Sequence, residues 1–228
     1  MADDHTFEQD VWELMLKRHS VRQYEEREIP AETREKLDAF IAACNQEGKL
    51  HIQAIYEEPD CFSSRMARYG NFEGCRNYIA LIGEKRAGLD ECCGYYGEKI
   101  VLKAQELGLN TCWVAMTHGK SQAEVRRGER EVILISLGYG KTPGTTRKSK
   151  TAAQVSNCRP DSPQWFKRGV EAALLAPTAM NQQKFRLLLD GDRVRAEASG
   201  FGPYTKLDLG IVKYQFELGA GKENFSWA

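Results

Sequence analysis

Arg18-His19-Ser20-Val21-Arg22 places two guanidinium groups and a hydroxyl at alternate positions. In an extended backbone alternate side chains share a face, so Arg18, Ser20 and Arg22 would project together. Such a set suits a phosphate, because the planar fork of arginine can donate two parallel hydrogen bonds and keeps its charge at every working pH. A solvated basic stripe has the same spacing. A second cluster, Arg147-Lys148-Ser149-Lys150, follows Gly144-Thr145-Thr146 in a loop just beyond an apolar run. Loops at strand ends are common ligand sites, so this cluster could clamp the same phosphate from another side or simply solubilise a loop. The third element is Ala176-Pro177-Thr178-Ala179-Met180-Asn181-Gln182-Gln183-Lys184-Phe185. Its amides offer both donors and acceptors, which suits the edge of a heterocycle, and its small residues let backbone approach a flat ring. A plain helix-stop loop would read the same way.

The elements that must position these residues alternate between helix and strand. Residues 8–17 carry Val11, Leu14 and Met15 at helical spacing, and 18–24 reads as extended. Pro30 opens a helix with Leu37, Phe40, Ile41 and Cys44 on one face. Leu50, Ile52 and Ala54 alternate as in a strand, and Tyr78 to Ile82 forms another. A long helix follows, with Leu89, Cys93, Tyr96, Ile100, Ala104 and Leu107 on its core face and Gly108 at its end. Val132 to Leu137 is too uniformly apolar for an edge and reads as a central buried strand closed by Gly138-Tyr139-Gly140. Ser162 and Pro163 suit an N-cap and first turn for a helix carrying Phe166, Val170, Ala173 and Leu174, stopped before Pro177. Phe185 to Leu189 and Val194 to Ala198 flank Asp190-Gly191, a hairpin signal. Leu207, Ile211, Tyr214 and Leu218 mark a last helix.

Composition narrows the function classes. The chain has 228 residues, 42% hydrophobic, with 32 basic and 32 acidic side chains. That is enough apolar residue for a substantial core, and zero formal charge removes the global electrostatic reason to expect nucleic acid or an anionic membrane as partner. The acidic, polar start Met-Ala-Asp-Asp-His differs from a secretory leader, no window approaches the length of a membrane span, and a cytoplasmic protein is expected. Seven cysteines without CxxC spacing indicate reduced thiols rather than disulfides or a structural metal, and Cys92 and Cys93 diverge on a helix with no redox role. Ile100-Val101 with Glu106-Leu107-Gly108 recurs as Ile211-Val212 with Glu217-Leu218-Gly219, and the helix, loop and strand of 31–56 are faintly echoed by 162–189. An old duplication or ordinary amphipathic similarity would each account for this.

Together the three elements resemble the nitroreductase family of FMN-dependent flavoproteins. Lys17-Arg18-His19-Ser20-Val21-Arg22 is similar to the family's N-terminal motif, and Ala176-Pro177-Thr178-Ala179-Met180-Asn181-Gln182-Gln183 to its Ala-Pro-Ser-x-x-Asn-x-Gln loop. Leu107 to Val114 resembles the segment ending its long central helix, Leu137 to Gly140 its buried strand end, and Lys148-Ser149-Lys150 its basic pair. The order differs, since the Pro-Thr-Ala-Met-Asn loop ordinarily precedes the long helix and here follows it. Ordinary members are homodimers with the flavin between subunits, so the rearranged order implies a single chain imitating that dimer.

The resemblance implies an α+β fold, with a central mixed or antiparallel sheet flanked by helices. It implies one domain over 1–228 made of two related halves, about 1–150 and 151–228. Arg18, Ser20, Lys148 and Lys150 are implied for the FMN phosphate, with Arg147 as a substitute. Arg22 is implied near N1 and the C2 carbonyl of the ring. Pro177, Thr178, Ala179, Met180 and Asn181 would contact the ring or ribityl chain, and the backbone of Trp113, Val114 and Ala115 would approach the ring. His19 would serve packing or backbone contact near the cofactor. No catalytic side chain and no metal are implied, because hydride chemistry belongs to the flavin. NADH or NADPH would be the donor and a nitroaromatic or quinone the acceptor, with a monomer expected and a homodimer left open. Lys184-Phe185 replaces the family's Pro-Trp pair, which with the loop order motivates an alternative: a flavin-binding or degenerate member without physiological turnover.

Overall fold

A computed structural model describes residues 7–228. The opening Met1 to His5, read above as unlike a leader, lies outside the described residues. In chain order the helices are α1 (Val11–Lys17), α2 (Ala31–Gly48), α3 (Asp60–Ser63), α4 (Arg65–Tyr69), α5 (Leu89–Glu106), α6 (Ala152–Val155), α7 (Gln164–Leu174) and α8 (Thr205–Ala220). The strands are β1 (Gln53–Ile55), β2 (Asn77–Glu84), β3 (Asn110–Val114), β4 (Glu129–Gly138), β5 (Phe185–Asp190), β6 (Arg193–Ala198) and β7 (Ser226–Trp227). Short 3-10 turns cover Ala179–Asn181 and Lys222–Asn224. The architecture is α+β, as expected. The chain divides into two compact units: residues 7–9, 17–89 and 100–146, and residues 10–16, 90–99 and 147–228.

The first unit holds a four-stranded antiparallel sheet in the order β1-β2-β4-β3. Residues 132–137 do occupy a central strand, paired on both edges, and the burial of successive residues from Ile133 to Gly138 shows that both of its faces are covered. In α2, Leu37, Ile41 and Cys44 are buried and Phe40 is half-buried. The strand anticipated from Leu50 is shorter than its alternation implies. Asn45 accepts the Ile52 N–H at 2.7 Å and donates to the Ile52 carbonyl at 2.8 Å, and although the His51 N–H reaches the Ile82 carbonyl of β2 at 2.8 Å, the regular ladder begins at Gln53. β3 was not anticipated as a strand, although Thr111 to Val114 is a β-prone run.

The second unit holds the antiparallel hairpin β5-β6, with β7 parallel to β6. The turn sits one residue later than expected: Asp190 pairs with Arg193, and Gly191-Asp192 makes the turn with Gly191 at φ +62°. Ser162 is not the N-cap of α7. Its Oγ accepts the Arg159 N–H at 2.9 Å, closing the preceding turn, and Pro163 occupies the cap. The first helix starts at Val11 rather than residue 8, because Asp10 caps it, its Oδ1 accepting the Trp12 N–H at 2.8 Å and its carbonyl the Leu14 N–H at 3.1 Å. In α8, Leu207, Ile211 and Tyr214 are buried and Leu218 is half-buried.

All seven cysteines are free thiols. Cys93 is buried and Cys92 only partly so, as diverging helix neighbours should be. Burial pushes the Cys61 and Cys75 thiols up to about 12, which keeps both protonated and inert at neutral pH. No described helix is long and apolar enough to cross a membrane.

Candidate functional site

In the first unit, residues 18–24 run as an extended segment sewn to its neighbours on several sides. Ser20 bridges Thr111 of β3, and the Val21 N–H donates to the Thr111 carbonyl at 3.0 Å. The Glu73 N–H donates to the Arg22 carbonyl at 3.1 Å, and the Tyr24 N–H to the Glu73 carbonyl at 2.9 Å. The anchor is Tyr24, 1% exposed, whose hydroxyl meets the Val21 carbonyl and Ser136 Oγ, each at 2.7 Å. Burial holds that phenol well above its ordinary range, so it stays a neutral donor. From this anchored segment Arg18 is buried, His19 and Ser20 are half-buried, and Arg22 is exposed, its guanidinium 6.0 Å from the centroid of Phe72. Gly144 has φ +80°, and a Cβ there would lie 2.6 Å from the Cβ of His19, so the loop of 141–146 crosses the segment at a point only glycine allows. His19 therefore has a close backbone neighbour. The segment meets β3 at Thr111, through Ser20 and Val21, and β3 ends at Trp113 and Val114, with Ala115 following.

In the second unit, the loop after α7 meets the basic cluster through Gln183, which is 2% exposed. Gln183 Oε1 accepts the Lys150 N–H at 2.7 Å, and its Nε2 donates to Ser149 Oγ and to the Leu174 carbonyl, each at 3.0 Å. Its backbone N–H donates to Thr178 Oγ1 at 3.0 Å, and its carbonyl accepts from Lys150 Nζ at 2.8 Å. Asn181 Nδ2 adds a bond to the Lys148 carbonyl at 2.7 Å. The loop is held in unusual backbone: Met180, Asn181 and Gln183 have φ of 51°, 53° and 47° without being glycine. Each such residue costs on the order of 1 kcal/mol or more and persists only where surroundings impose it, a pattern concentrated at ligand sites. The support includes Asp208 of α8, which accepts the Ala179 N–H on both carboxylate oxygens, at 3.0 and 3.1 Å. Met180 is left 89% exposed at the crest. Pro177, Thr178, Ala179, Met180 and Asn181 are thus gathered with Lys148 and Lys150, while Arg147 is exposed at the start of the same stretch.

The model of the family described as "Putative TM nitroreductase" matches residues 10–220. The chain belongs to this nitroreductase family. Among solved structures, a putative nitroreductase of Thermotoga maritima superposes with a TM-score of 0.69 at 24% identity, covering 97% of this chain and 88% of that one. A putative nitroreductase of Desulfovibrio desulfuricans, solved in complex with FMN, gives 0.51 at 17% identity over 68% of this chain and 98% of that one. A putative NADH dehydrogenase/NAD(P)H nitroreductase of Parabacteroides distasonis gives 0.50 at 18% over 65% and 97%. These likenesses establish the nitroreductase fold. No curated protein sequence matches the chain.

Among the described residues Arg22 and Lys148 have no ion-pair partner, and Lys150 gives one of its three N–H groups to Gln183, leaving two. Two residues central to the loop, Gln183 and Asp208, were not among the site residues taken from the sequence. Gln183 ends the quoted loop motif, which was a usable signal. Asp208 looks like any acidic residue in a first helical turn, and nothing local to its sequence marks it as buried.

Proposed function

We propose that this chain is an FMN-dependent oxidoreductase that passes hydride from NADH or NADPH to an electron-poor acceptor such as a nitroaromatic or a quinone. Family membership over residues 10–220 and the FMN complex of the Desulfovibrio relative support this reading. The observation that carries it is the exposed Arg22 guanidinium, without an ion-pair partner among the described residues, on a segment bonded to Thr111 of β3. When bound, FMN supplies the two-electron hydride chemistry.

The protein's part is to bind and polarise. Arg18 and Ser20, with Lys148, Lys150 and Arg147, would hold the phosphate through charge-assisted hydrogen bonds. Arg22 would stabilise negative charge near N1 and the C2 carbonyl, a preorganised cation in the sense of an oxyanion hole. Thr178 to Asn181 would present backbone to the ring or ribityl chain, with His19 and Trp113 to Ala115 lining it. The protein would act on small molecules as a cytoplasmic monomer, without nucleic acid or metal.

The test is the visible absorption spectrum of the purified protein, followed by anaerobic addition of NADH or NADPH. Flavin bands that bleach support the enzyme. Flavin bands that resist both donors support a binding protein without turnover, and a colourless protein that takes up no added FMN overturns the reading.

A further inference from the structure

The helix α4 has five residues and offers its core only Ala67, which is fully buried. Ser64 caps it, accepting the Ala67 N–H at 3.1 Å, so its orientation is fixed. The remaining four residues face water: Arg65, Met66 at 47%, Arg68, and Tyr69 at 82% exposure. The next residue, Gly70, lies against Thr117, whose Cβ would be 2.6 Å from a Cβ at position 70. Met116, 69% exposed, precedes that threonine and follows Ala115 at the end of β3. On the other side Phe72 carries the Arg22 guanidinium over its ring, and Glu73 is bonded to the Arg22 backbone. One stretch of the first unit thus brings three exposed apolar side chains and three guanidinium groups beside the segments assigned above to the ring.

Unpaired charge lies beside these exposed apolar groups. Several cations of the unit are paired: Arg34 with Glu28 and Glu57, Arg76 with Glu57, and Lys141 with Glu73. Among the described residues Arg22, Arg65 and Arg68 have no carboxylate partner. Nearby, Glu58 is engaged by the N–H groups of Asp60 and Cys61, and Glu73 by Lys141. Large apolar groups left in water beside unneutralised guanidiniums fit a flat apolar ligand that carries its own negative charge, since guanidinium groups both stack on rings and fork onto carboxylates.

We propose that Arg65, Arg68, Met66, Tyr69 and Met116 form the acceptor platform of this protein and select planar aromatic acceptors bearing an anionic substituent. The inference rests on the function proposed above and adds the charge of the substrate. Arg65 and Arg68 take the carboxylate or sulfonate, and Met66, Tyr69 and Met116 take the ring.

The experiment compares 4-nitrobenzoate with the neutral 4-nitrobenzyl alcohol, both as acceptors for the FMN-loaded protein and as ligands by ligand-observed NMR. The expected result is a higher kcat/KM for the anion. In the double variant Arg65→Ala, Arg68→Ala the anion-to-neutral ratio should fall roughly three- to tenfold, the range two exposed charge contacts can supply, mostly through KM. Added salt should narrow the ratio in the parent and not in the variant. A ratio unchanged by the double variant in a flavin-loaded, active protein overturns the platform and leaves the function standing. A flavin-free protein that binds 4-nitrobenzoate through these arginines supports the platform and removes the function. A raised KM for NADPH with unchanged acceptor preference overturns the platform in favour of the dinucleotide.

Discussion

The carboxylate of Asp208 receives the single backbone N–H of Ala179 on both oxygens, at 3.0 and 3.1 Å, while only 6% of the residue is exposed. Burial pushes this carboxyl up to about 6, against the lesser, opposing pull of the Ala179 bond. Its folded value exceeds its unfolded one, so the folded chain binds a proton that the unfolded chain lacks between about pH 4 and 6. The contribution of Asp208 to stability is therefore best at low pH, falls through that window, and is a full cost above it. A difference of about two pKa units corresponds to about 3 kcal/mol at most. Asp208→Asn keeps an oxygen for Ala179 and cannot ionise. It should raise Tm at pH 7.5 relative to the parent, and the gap should close as pH falls to 4. Parallel Tm curves for the two proteins across this range would show that Asp208 does not titrate as its burial requires.

Gln183 uses both amide N–H groups and its amide oxygen within the second unit. Truncation in Gln183→Ala strands the Lys150 N–H and the Leu174 carbonyl, and unmet buried groups cost about 1–3 kcal/mol each. We expect a lower denaturation midpoint together with weaker FMN retention, because the loop of 177–183 and the cluster of 148–150 lose their common tie. Gln183→Glu should fail similarly, since it replaces the amide's two donors with an acceptor facing the Leu174 carbonyl. Equilibrium unfolding and dialysis against buffer read the two effects separately.

Two helices of the second unit cross at glycine. A Cβ on Gly210 of α8 would lie 1.9 Å from the Glu91 carbonyl oxygen of α5, and one on Gly94 would lie 2.0 Å from the Leu207 carbonyl oxygen. Neither neighbour is a side-chain tip that can swing away. Around the crossing, Tyr95 donates to Glu217 Oε2 at 2.6 Å and stands edge-on to Tyr214, and Gln215 Nε2 donates to Glu98 Oε1 at 2.6 Å. Gly210→Ala and Gly94→Ala should each cost more than about 3 kcal/mol, the upper range for overpacking. Gly202→Ala meets only Thr205 Cγ2 at 3.4 Å and should be tolerated. Soluble yield and urea midpoints of the three variants test this. Equal behaviour of Gly202→Ala and Gly210→Ala would show that the crossing is not as tight as described.

What could be read from the sequence followed from how local its cause was. The strand at 132–137 is apolar because both its faces are buried, and the helices of 31–48 and 205–220 announce their buried faces by spacing. The strand β3 escaped notice because Asn110 to Val114 owes its state to β4 and to the extended segment at Ser20, not to an alternating pattern of its own. The Asp190-Gly191 pair signalled a hairpin but not its register, which cross-strand pairing moved by one residue. Arg18, Ser20, Arg22, Lys148, Lys150 and the loop of 177–181 stood out as candidates by type and spacing, and the family resemblance supplied their expected roles. Gln183 and Asp208 act through burial, and burial comes from chain segments distant in sequence.

Arg18 and Arg22 differ in a way that separates their proposed roles. Arg18 is 4% exposed, whereas Arg22 reaches solvent over the Phe72 ring. A buried guanidinium that bonds the phosphate should contribute to affinity, so Arg18→Ala is expected to weaken FMN binding by about 1.5–3 kcal/mol, the range for a hydrogen bond to a charged group. In its proposed place Arg22 would face charge that develops on reduction, so Arg22→Ala should spare FMN retention and make the bound flavin harder to reduce. Arg22→Lys, with a point charge in place of the planar fork, should recover only part of that loss. Titration of the apoprotein with FMN measures the first effect, and equilibration with a redox dye measures the second. Unchanged FMN affinity in Arg18→Ala would remove that residue from the phosphate, and an unmoved midpoint potential in Arg22→Ala would remove Arg22 from the ring.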